Sequence, residues 1–414
     1  MRRISLIVLV LTCSTWLAAR TASPQDPHRP EGQRPHGETA TGQGAASAQA
    51  PPTFRSGVAL VQMDVTVLDE DRRPVTGLTA ADFIVKEDGV ERPIAAFTPV
   101  DLSGGSAAVN AAGTPAAATL PVAAAPTAAA ATARSDGSEP GRLVAILMDR
   151  STPPGEPTLV AKHIANAVVD ALGPGDQAAV LYTGFGTPQE FTRDRALLHA
   201  AIAKSDPSAV LSDDVMAMRE FQDVDPLQTG SCYCGLCVPE TIAHVAETVQ
   251  AAPQRKVLFF VGHDMEFQSA RDDCGFLLRK ARDRMVRAID VANLTVHVID
   301  PSGLANPLPS AQASCCNTPF HRDMAQKEAA KIADENRRRA TLMTIPGYTG
   351  GRTVLSTNTP WAAVPGIFAE SAAYYVLAIQ PGHPAADGSY HRLEVKVKRR
   401  GVQVRAREGY YARK

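Results

Sequence analysis

The sequence has almost no net charge and few aromatic residues. Its 414 residues include 42 Lys and Arg against 43 Asp and Glu, and the formal net charge of -1 excludes a whole-chain field that would attract nucleic acid. Only 5% of residues are aromatic, whereas 30 Gly and 31 Pro favour turns and linkers, so we expect part of the chain to lie outside a folded core. The hydrophobic fraction of 44% is ordinary for globular proteins and excludes fibrous and polytopic membrane proteins.

The sequence also lacks the short motifs of common enzymes. It has no HExxH, G-x-S-x-G or P-loop motif, and the GFG at residues 184–186 lacks the third glycine of a dinucleotide-binding loop. His263 and Asp264, close to Glu266, could act as a base and its orienting group in a hydrolase, although such polar clusters at strand ends are more often hydrogen-bonded loops. The sequence therefore indicates a protein without catalytic activity.

The N-terminus has the layout of a secretory signal peptide, which we assign to residues 1–22. Two arginines precede an apolar run at residues 4–11, and polar and small residues follow it. The run is shorter than the roughly 20 residues that span a bilayer, so we predict no transmembrane anchor after cleavage. A lipid anchor on Cys13 is a minor alternative. The mature protein is then expected to be secreted, periplasmic or held in the cell envelope.

Two further segments are predicted not to fold. Residues 23–52 contain no large apolar side chain, so they cannot offset the entropy of ordering and are expected to form a disordered tether. Residues 101–140 are rich in alanine, interrupted by prolines and glycines, which predicts a low-complexity linker. A domain boundary is therefore expected at this linker.

Six cysteines remain when Cys13 is set aside, and an even number in an exported chain predicts disulfide bonds. The first three have the spacing CxCxxC, which could instead hold a soft metal ion, but the chain has no second CxxC or CxxH pair. The connectivity stays open. The disulfide candidates are Cys232, Cys234, Cys237, Cys274, Cys315 and Cys316.

Both ends of the folded region show the alternation typical of β-strands. Apolar and polar residues alternate at 61–67 and at 393–397, and Asp88 with Gly89 is a strong hairpin signal. An isolated hairpin is marginally stable in water. We therefore predict that the N-terminal β segment, residues 53–100, pairs with the C-terminal β segment, residues 373–414, in a small β-sandwich.

The region between them, residues 141–372, alternates apolar strands with helices. This pattern predicts an α/β domain with a doubly wound, mainly parallel sheet that is covered on both faces. The apolar runs lie near residues 143–148, 178–182, 257–261 and 295–299. In such sheets, ligands bind beyond the carboxyl ends of the strands. The polar residues at these ends are Asp149, His263, Asp264 and Asp300.

The central region resembles a von Willebrand factor A (VWA) domain. An apolar strand ends in Asp149 and Ser151 as Asp-x-Ser, a helix follows, and residues 256–261 form a later strand with the sequence KVLFFV. The flanks resemble the bacterial secreted VWFA-related domain family over residues 54–412, apart from the linker and the cysteine-rich segment. The flanking matches are VQMDVTV (61–67), VTGLT (75–79), DF (82–83), EDG (87–89), YHRLEVKVK (390–398) and VRAREGY (404–410). The resemblance implies a secreted protein whose VWA-like domain, of Rossmann-type topology, is inserted between the terminal β segments.

The resemblance also implies a divalent cation at the carboxyl edge of the sheet. VWA domains hold Mg²⁺ or Mn²⁺ with an Asp-x-Ser-x-Ser motif, a loop threonine and a later aspartate, and a carboxylate of the partner can complete the coordination. Asp149 and Ser151 match this pattern, whereas Pro153 replaces the second serine. The alternative is that Asp149 caps the following loop through backbone N–H groups.

The remaining ligand positions implied by the resemblance match the VWA pattern less well. Strand register places His263 at the later aspartate position, with Asp264 one residue beyond it. Thr187 and Ser212 are alternative candidates for the loop hydroxyl.

We therefore expect an exported VWA-type binding module that recognises a protein partner, and not nucleic acid, at the carboxyl edge of its sheet. Mg²⁺ or Mn²⁺ is the candidate cofactor. Two alternatives stay open, namely a metal-free structural protein of the cell envelope and a hydrolase that uses His263 and Asp264.

Overall fold

A computed structural model describes residues 60–102, 141–184, 187–205, 235–265, 272–304, 318–382 and 388–412. All of them belong to the compact unit Gly57–Lys414. The predicted signal peptide and tether, and nearly all of the predicted linker, lie outside the described residues. Within the described ranges, no helix is both long enough and apolar enough to cross a membrane.

Strands and α-helices are numbered in chain order. The strands are β1 Val61–Leu68, β2 Phe83–Glu87, β3 Val90–Arg92, β4 Ile94–Asp101, β5 Arg142–Met148, β6 Gln177–Tyr182, β7 Gln189–Thr192, β8 Arg255–Val261, β9 Leu294–Ile299, β10 Thr353–Val354, β11 Ala373–Ile379, β12 Tyr390–Val397, β13 Gln403–Arg405 and β14 Gly409–Tyr411. The helices are α1 Glu156–Asp170, α2 Arg195–Lys204, α3 Cys237–Val249, α4 Asp272–Ala292, α5 Pro319–Thr349 and α6 Val364–Glu370.

Six of these strands form a mainly parallel central sheet in the order β10, β9, β8, β5, β6, β7. Neighbouring strands run parallel except for β7, which pairs antiparallel with β6. The strand order turns in both directions from β5, so the sheet is doubly wound, as the alternation of apolar strands and helices predicts. The structure is thus a mixed α/β fold with a largely parallel sheet.

Alternate residues of each central strand bury against opposite layers of helices. In β5, Val144 and Ile146 join a core cluster with α1 and α2, whereas Ala145 and Leu147 join a cluster with α3 and α4. A strand that is buried on both faces has no polar alternation, which explains the continuous apolar run at these positions.

The segments on either side of the central region form two further sheets of four strands each. One has the order β13, β1, β11, β4, and the other has the order β14, β12, β2, β3. Met63 of β1 lies opposite Leu377 of β11, and Val85 of β2 lies opposite Val395 of β12. Each sheet therefore combines strands from both ends of the described chain.

The two terminal sheets bury one shared apolar cluster. It includes Met63 and Leu377 from one sheet and Phe83 and Leu393 from the other. The Phe83 and Tyr375 rings pack with their centroids 5.1 Å apart. Burial of this cluster is the main term that stabilises the terminal sheets, since neither segment has enough apolar surface alone.

Buried polar groups join the terminal sheets to the central sheet and its helices. Asn293 Nδ2 donates a hydrogen bond of 2.8 Å to Asp64 Oδ1, and the Arg255 guanidinium lies 4.3 Å from the Tyr374 ring centroid. Burial raises the pKa of Asp64, although Arg255 opposes the shift. The junction therefore contains buried polar contacts in addition to apolar packing.

Candidate functional site

The carboxyl ends of the central strands bring polar side chains together. Asp149 follows β5, Thr183 follows β6 and His263 lies just beyond β8. The Asp149 N–H donates to the Val261 carbonyl over 2.9 Å, and the Thr183 N–H donates to the Met148 carbonyl over 3.1 Å. These bonds extend the parallel ladder past the strand ends, so the backbone of the sheet fixes where the side chains begin.

Asp149 is the centre of a hydrogen-bonded cluster. Its Oδ1 accepts from the Ser151 N–H over 3.1 Å and from Thr183 Oγ1 over 2.9 Å. Its Oδ2 accepts from Ser151 Oγ over 2.7 Å. The side chain is only 2% exposed. Three donors to one buried carboxylate satisfy both of its oxygens and fix the loop that follows β5.

Thr183 is the functional residue that the sequence analysis missed. Its hydroxyl bridges two loops, since Oγ1 donates to Asp149 and accepts from the Arg150 N–H over 2.9 Å. Of the two predicted hydroxyls, Thr187 is exposed and Ser212 lies outside the described residues. Thr183 could have been identified from the sequence, because it directly follows an apolar strand and therefore lies at the same edge of the sheet as Asp149.

His263 follows β8, and its side chain approaches Asp149. His263 Nδ1 lies 3.9 Å from Asp149 Oδ2 and is buried without a hydrogen-bond partner among the described residues. Burial raises the pKa of Asp264, with His263 and Arg338 opposing the shift. Since Nδ1 donates no hydrogen bond to Asp264, the neighbouring carboxylate does not orient the ring as a base.

Gly262 allows β8 to approach Asp149 closely. A Cβ atom at this position would lie 2.6 Å from the Asp149 Cβ and 2.5 Å from Phe260 Cζ, which is closer than non-bonded atoms approach. Any larger residue would push His263 away from the carboxylate. Gly262 therefore contributes to the site because it has no side chain.

Asp300 closes the same edge after β9. Its Oδ1 accepts from the Ser302 N–H over 2.8 Å, and the residue is 4% exposed. Burial raises the pKa of Asp300, while the hydrogen bonds from Ser302 oppose the shift. The carboxylate thus orders the turn after β9, in the same way that Asp149 orders the loop after β5.

The donor set at this edge does not fit a Mg²⁺ or Mn²⁺ site. Both oxygens of Asp149 already accept hydrogen bonds, and Pro153 and His263 offer no oxygen where the VWA pattern has a serine and an aspartate. These hard cations prefer several oxygen ligands. Within the described ranges, no group of three His, Cys, Asp or Glu side chains could hold a metal ion. The geometry matches the loop-capping role of Asp149.

Two of the cysteine candidates lie in the described residues. Cys237 is the first residue of α3, and Cys274 lies in the first turn of α4. Both residues are buried. Cys232, Cys234, Cys315 and Cys316 lie outside the described residues, as does Glu266.

Comparisons with known proteins give distant structural similarities. No protein family matches the sequence, and no curated protein matches it. The chain is similar to BatB from Bacteroides thetaiotaomicron, with 14% identity over 56% of this chain and 98% of that chain and a TM-score of 0.30. It is similar to a von Willebrand factor type A protein from Catenulispora acidiphila, with 12% identity over 66% of both chains and a TM-score of 0.29.

A third similar structure is the manganese-loaded TRAP protein of Plasmodium vivax, with 12% identity over 65% of this chain and 93% of that chain and a TM-score of 0.25. At these identities and TM-scores, no ligand, partner or activity is carried over to this chain.

Proposed function

We propose that the chain is an exported, VWA-type interaction module that recognises a protein partner at the carboxyl edge of its central sheet without a bound cation. The observation that carries this proposal is the Asp149 cluster. It holds the loops after β5 and β6 together through a buried and fully hydrogen-bonded carboxylate. Loops that are fixed before binding lose little conformational entropy when a partner binds.

Exposed apolar side chains near this edge support the same proposal. Helices that follow parallel strands begin at the carboxyl edge, so their first turns lie there. Leu159 in the first turn of α1 is 61% exposed, Phe276 near the start of α4 is 65% exposed, and Leu304 beyond β9 is 62% exposed. Apolar side chains next to a polar cluster are typical of protein interfaces.

We also propose that the two terminal sheets form a β-sandwich that carries the central domain. Their shared core, which contains Met63, Phe83, Tyr375 and Leu377, supports this arrangement. The residue boundaries of this unit, 53–100 and 373–414, are part of the proposal.

Disulfide bonds among the six cysteines complete the proposal. Cys237 and Cys274 support it, because both are buried at the starts of helices. Bonds at these positions would hold the starts of α3 and α4 near the carboxyl edge and limit the unfolded ensemble.

Surface variants test where the partner binds. The full chain and its Leu159→Asp, Leu304→Asp and Val291→Asp variants would be immobilised and exposed to an envelope extract of the producing cells. Val291 is 42% exposed and lies at the other end of α4, so it is the matched control. We expect the two edge variants to reduce the amount of captured partner at least about tenfold, as a charge buried in an apolar contact does, and Val291→Asp to retain it.

The structural alternative gives a different outcome. If the protein only builds envelope structure, the edge variants and the Val291 variant will capture the same proteins in the same amounts. That result, or a loss with Val291→Asp alone, would contradict recognition at the carboxyl edge.

A further inference from the structure

Ser389, His391 and Asp88 form a hydrogen-bonded chain in the terminal sheets, outside the carboxyl-edge site. Ser389 Oγ lies 2.9 Å from His391 Nε2, and His391 Nδ1 lies 2.7 Å from Asp88 Oδ2. The serine and the carboxylate therefore contact opposite nitrogens of one imidazole ring. This is the order in which a serine nucleophile, its base and its orienting carboxylate are linked in serine hydrolases.

The sheet places these residues for simple geometric reasons. Ser389 and His391 are two residues apart at the start of β12, so they point to the same face. Asp88 occupies the hairpin turn between β2 and β3 with φ of 50°, a left-handed conformation that Asp tolerates and that Gly89 continues. Because β12 pairs with β2, this turn meets the start of β12.

Backbone contacts fix the Asp88 carboxylate. The Arg392 N–H donates to Asp88 Oδ1 over 2.8 Å, and the Asp88 N–H donates to the Arg392 carbonyl over 2.9 Å. The two contacts hold Asp88 beside the strand that carries His391. Oδ2 is then directed at the imidazole.

The imidazole is fixed in one tautomer and one plane. A carboxylate only accepts hydrogen bonds, so Nδ1 carries the proton and Nε2 is the acceptor for the Ser389 hydroxyl. The ring stacks on Tyr410 with centroids 5.3 Å apart. Tyr410 is held in turn by a hydrogen bond from its hydroxyl to the buried carboxylate of Glu87.

We propose that Ser389, His391 and Asp88 form a second functional site, which hydrolyses carboxylic esters. His391 is 8% exposed, whereas Ser389 is half-buried and the Asp88 side chain is 42% exposed. The base is thus shielded by the protein, while the nucleophile lies next to solvent, where an ester can reach it.

The chemistry uses only the ester, water and these side chains. Ser389 Oγ attacks the carbonyl carbon while its proton moves to His391 Nε2. The C–O bond to the alcohol breaks, and the alcohol leaves with the proton from Nε2. Water then attacks the acyl-serine, His391 again takes and returns the proton, and the carboxylic acid is released. Ser389 and His391 are the catalytic residues, and Asp88 is a positioning residue because it acts through His391.

Labelling of the full chain with a fluorophosphonate probe tests the nucleophile. We expect one modified residue, Ser389, identified by peptide mass spectrometry, and slow hydrolysis of p-nitrophenyl acetate by the same protein. Ser389→Ala should lose the label, and His391→Gln should slow labelling about 10²–10⁴-fold, the usual contribution of a general base. Thermal unfolding of each variant shows whether it is folded.

The Asp88→Asn variant tests whether Asp88 positions His391 for catalysis or only supports the fold. Asn also tolerates the left-handed conformation of this turn, but its amide would donate to Nδ1 and hold the wrong tautomer. We expect a lower kcat for p-nitrophenyl acetate with an unchanged KM and an unchanged unfolding temperature.

Two outcomes would overturn the proposal. One is that the unmodified chain labels no faster than the folded Ser389→Ala variant. The other is that the label falls on a different serine. Either result would show that the three residues only close the β2–β3 hairpin onto β12.

Discussion

At the scale of single residues, the buried Asp149 carboxylate depends on its hydroxyl partners. Ser151 and Thr183 each donate a side-chain hydrogen bond to it. When a buried carboxylate loses a hydrogen-bond donor, its lost hydration is less well compensated and the folded state is destabilised. The hydrogen bond from Thr183 should therefore make a measurable contribution to the free energy of unfolding.

Replacing Thr183 with Val keeps the shape of the side chain and removes the hydroxyl. We expect the free energy of unfolding to fall by about 1–3 kcal/mol, since Asp149 loses a donor and the Arg150 N–H loses its acceptor. The exposed Thr187→Val variant is the matched control and should change stability by less than about 0.5 kcal/mol. Urea denaturation measures both, and equal effects of the two variants would be inconsistent with the bridging role.

His297 should make the protein sensitive to acid. It is buried in β9, and its Nδ1 accepts a 2.9 Å hydrogen bond from the Arg352 N–H, so the neutral ring is the bound form. Burial, together with Arg255 and other cations, lowers the pKa of His297 from 6.5 to about 3. The unfolded chain therefore binds a proton more readily than the folded chain, and the stability due to His297 is lost as pH falls below 6.5 toward 3.

The His297→Asn variant tests this dependence, because Asn can accept the same hydrogen bond without titrating. Relative to the variant, the unmodified protein should lose about 1.4 kcal/mol of unfolding free energy per pH unit below the unfolded pKa. Denaturation series between pH 7 and pH 5 measure the difference. If the unfolding free energies of the two proteins change in parallel over this pH range, His297 does not have the lowered pKa.

The residues of the candidate site were predictable only where the strand pattern reveals them. Asp149 and His263 follow long apolar strands, so their place at the carboxyl edge can be read from the sequence. Thr183 was passed over because the same loop offers a second hydroxyl, Thr187. The bonds that saturate the Asp149 carboxylate depend on the distance between two loops, which the sequence pattern does not contain.

At the scale of elements, the pairing of β1 with β11 links distant parts of the chain. Leu377 in β11 is fully buried and lies opposite Met63 of β1. β11 also pairs with β4, so it occupies an inner position in its sheet. A cavity at Leu377 should therefore affect both neighbours.

Leu377→Ala should lower the free energy of unfolding by about 2–5 kcal/mol, the usual cost of a leucine-sized cavity. Val90→Ala is the control, since Val90 is 54% exposed on β3 and should cost less than about 0.5 kcal/mol. Chemical denaturation measures both variants. A cost for Leu377→Ala similar to that of the control would show that β11 is not a core strand.

The elements with strong periodicity were predictable, and those shaped by tertiary contacts were not. The alternation at β1 and the Asp88–Gly89 turn gave the strand and the hairpin, and the apolar run at β5 gave a buried parallel strand. β7 was missed, because three of its four residues are polar and they gain their strand conformation from pairing with β6. The start of α5 at Pro319 could not be read from the sequence, since its first turn has no apolar stripe.

At the scale of the whole molecule, a buried ion pair connects the C-terminal strands to helix α4. Arg407 Nη2 lies 3.4 Å from Asp290 Oδ1, with side-chain exposures of 9% and 6%. Arg407 also donates to the Gly409 carbonyl over 2.9 Å. Burial raises the pKa of Asp290, and Arg407 opposes that shift.

Breaking the Arg407–Asp290 pair should destabilise the folded protein. Arg407→Met leaves Asp290 buried without its cation, and we expect a loss of about 3–5 kcal/mol in unfolding free energy. The double variant with Asp290→Asn should recover part of the loss, because no buried charge remains. A double-mutant cycle by chemical denaturation measures the coupling, and purely additive losses would disprove it.

Site-specific photo-crosslinking in the producing cells shows whether a partner is bound at the carboxyl edge. A photoreactive amino acid would replace Leu304, 62% exposed beyond the carboxyl end of β9, or Val291, 42% exposed at the far end of α4. We predict one discrete crosslinked partner from position 304, unchanged by a chelator of divalent cations, and none from position 291. A partner found only from position 291, or a crosslink at position 304 that the chelator abolishes, would contradict this prediction.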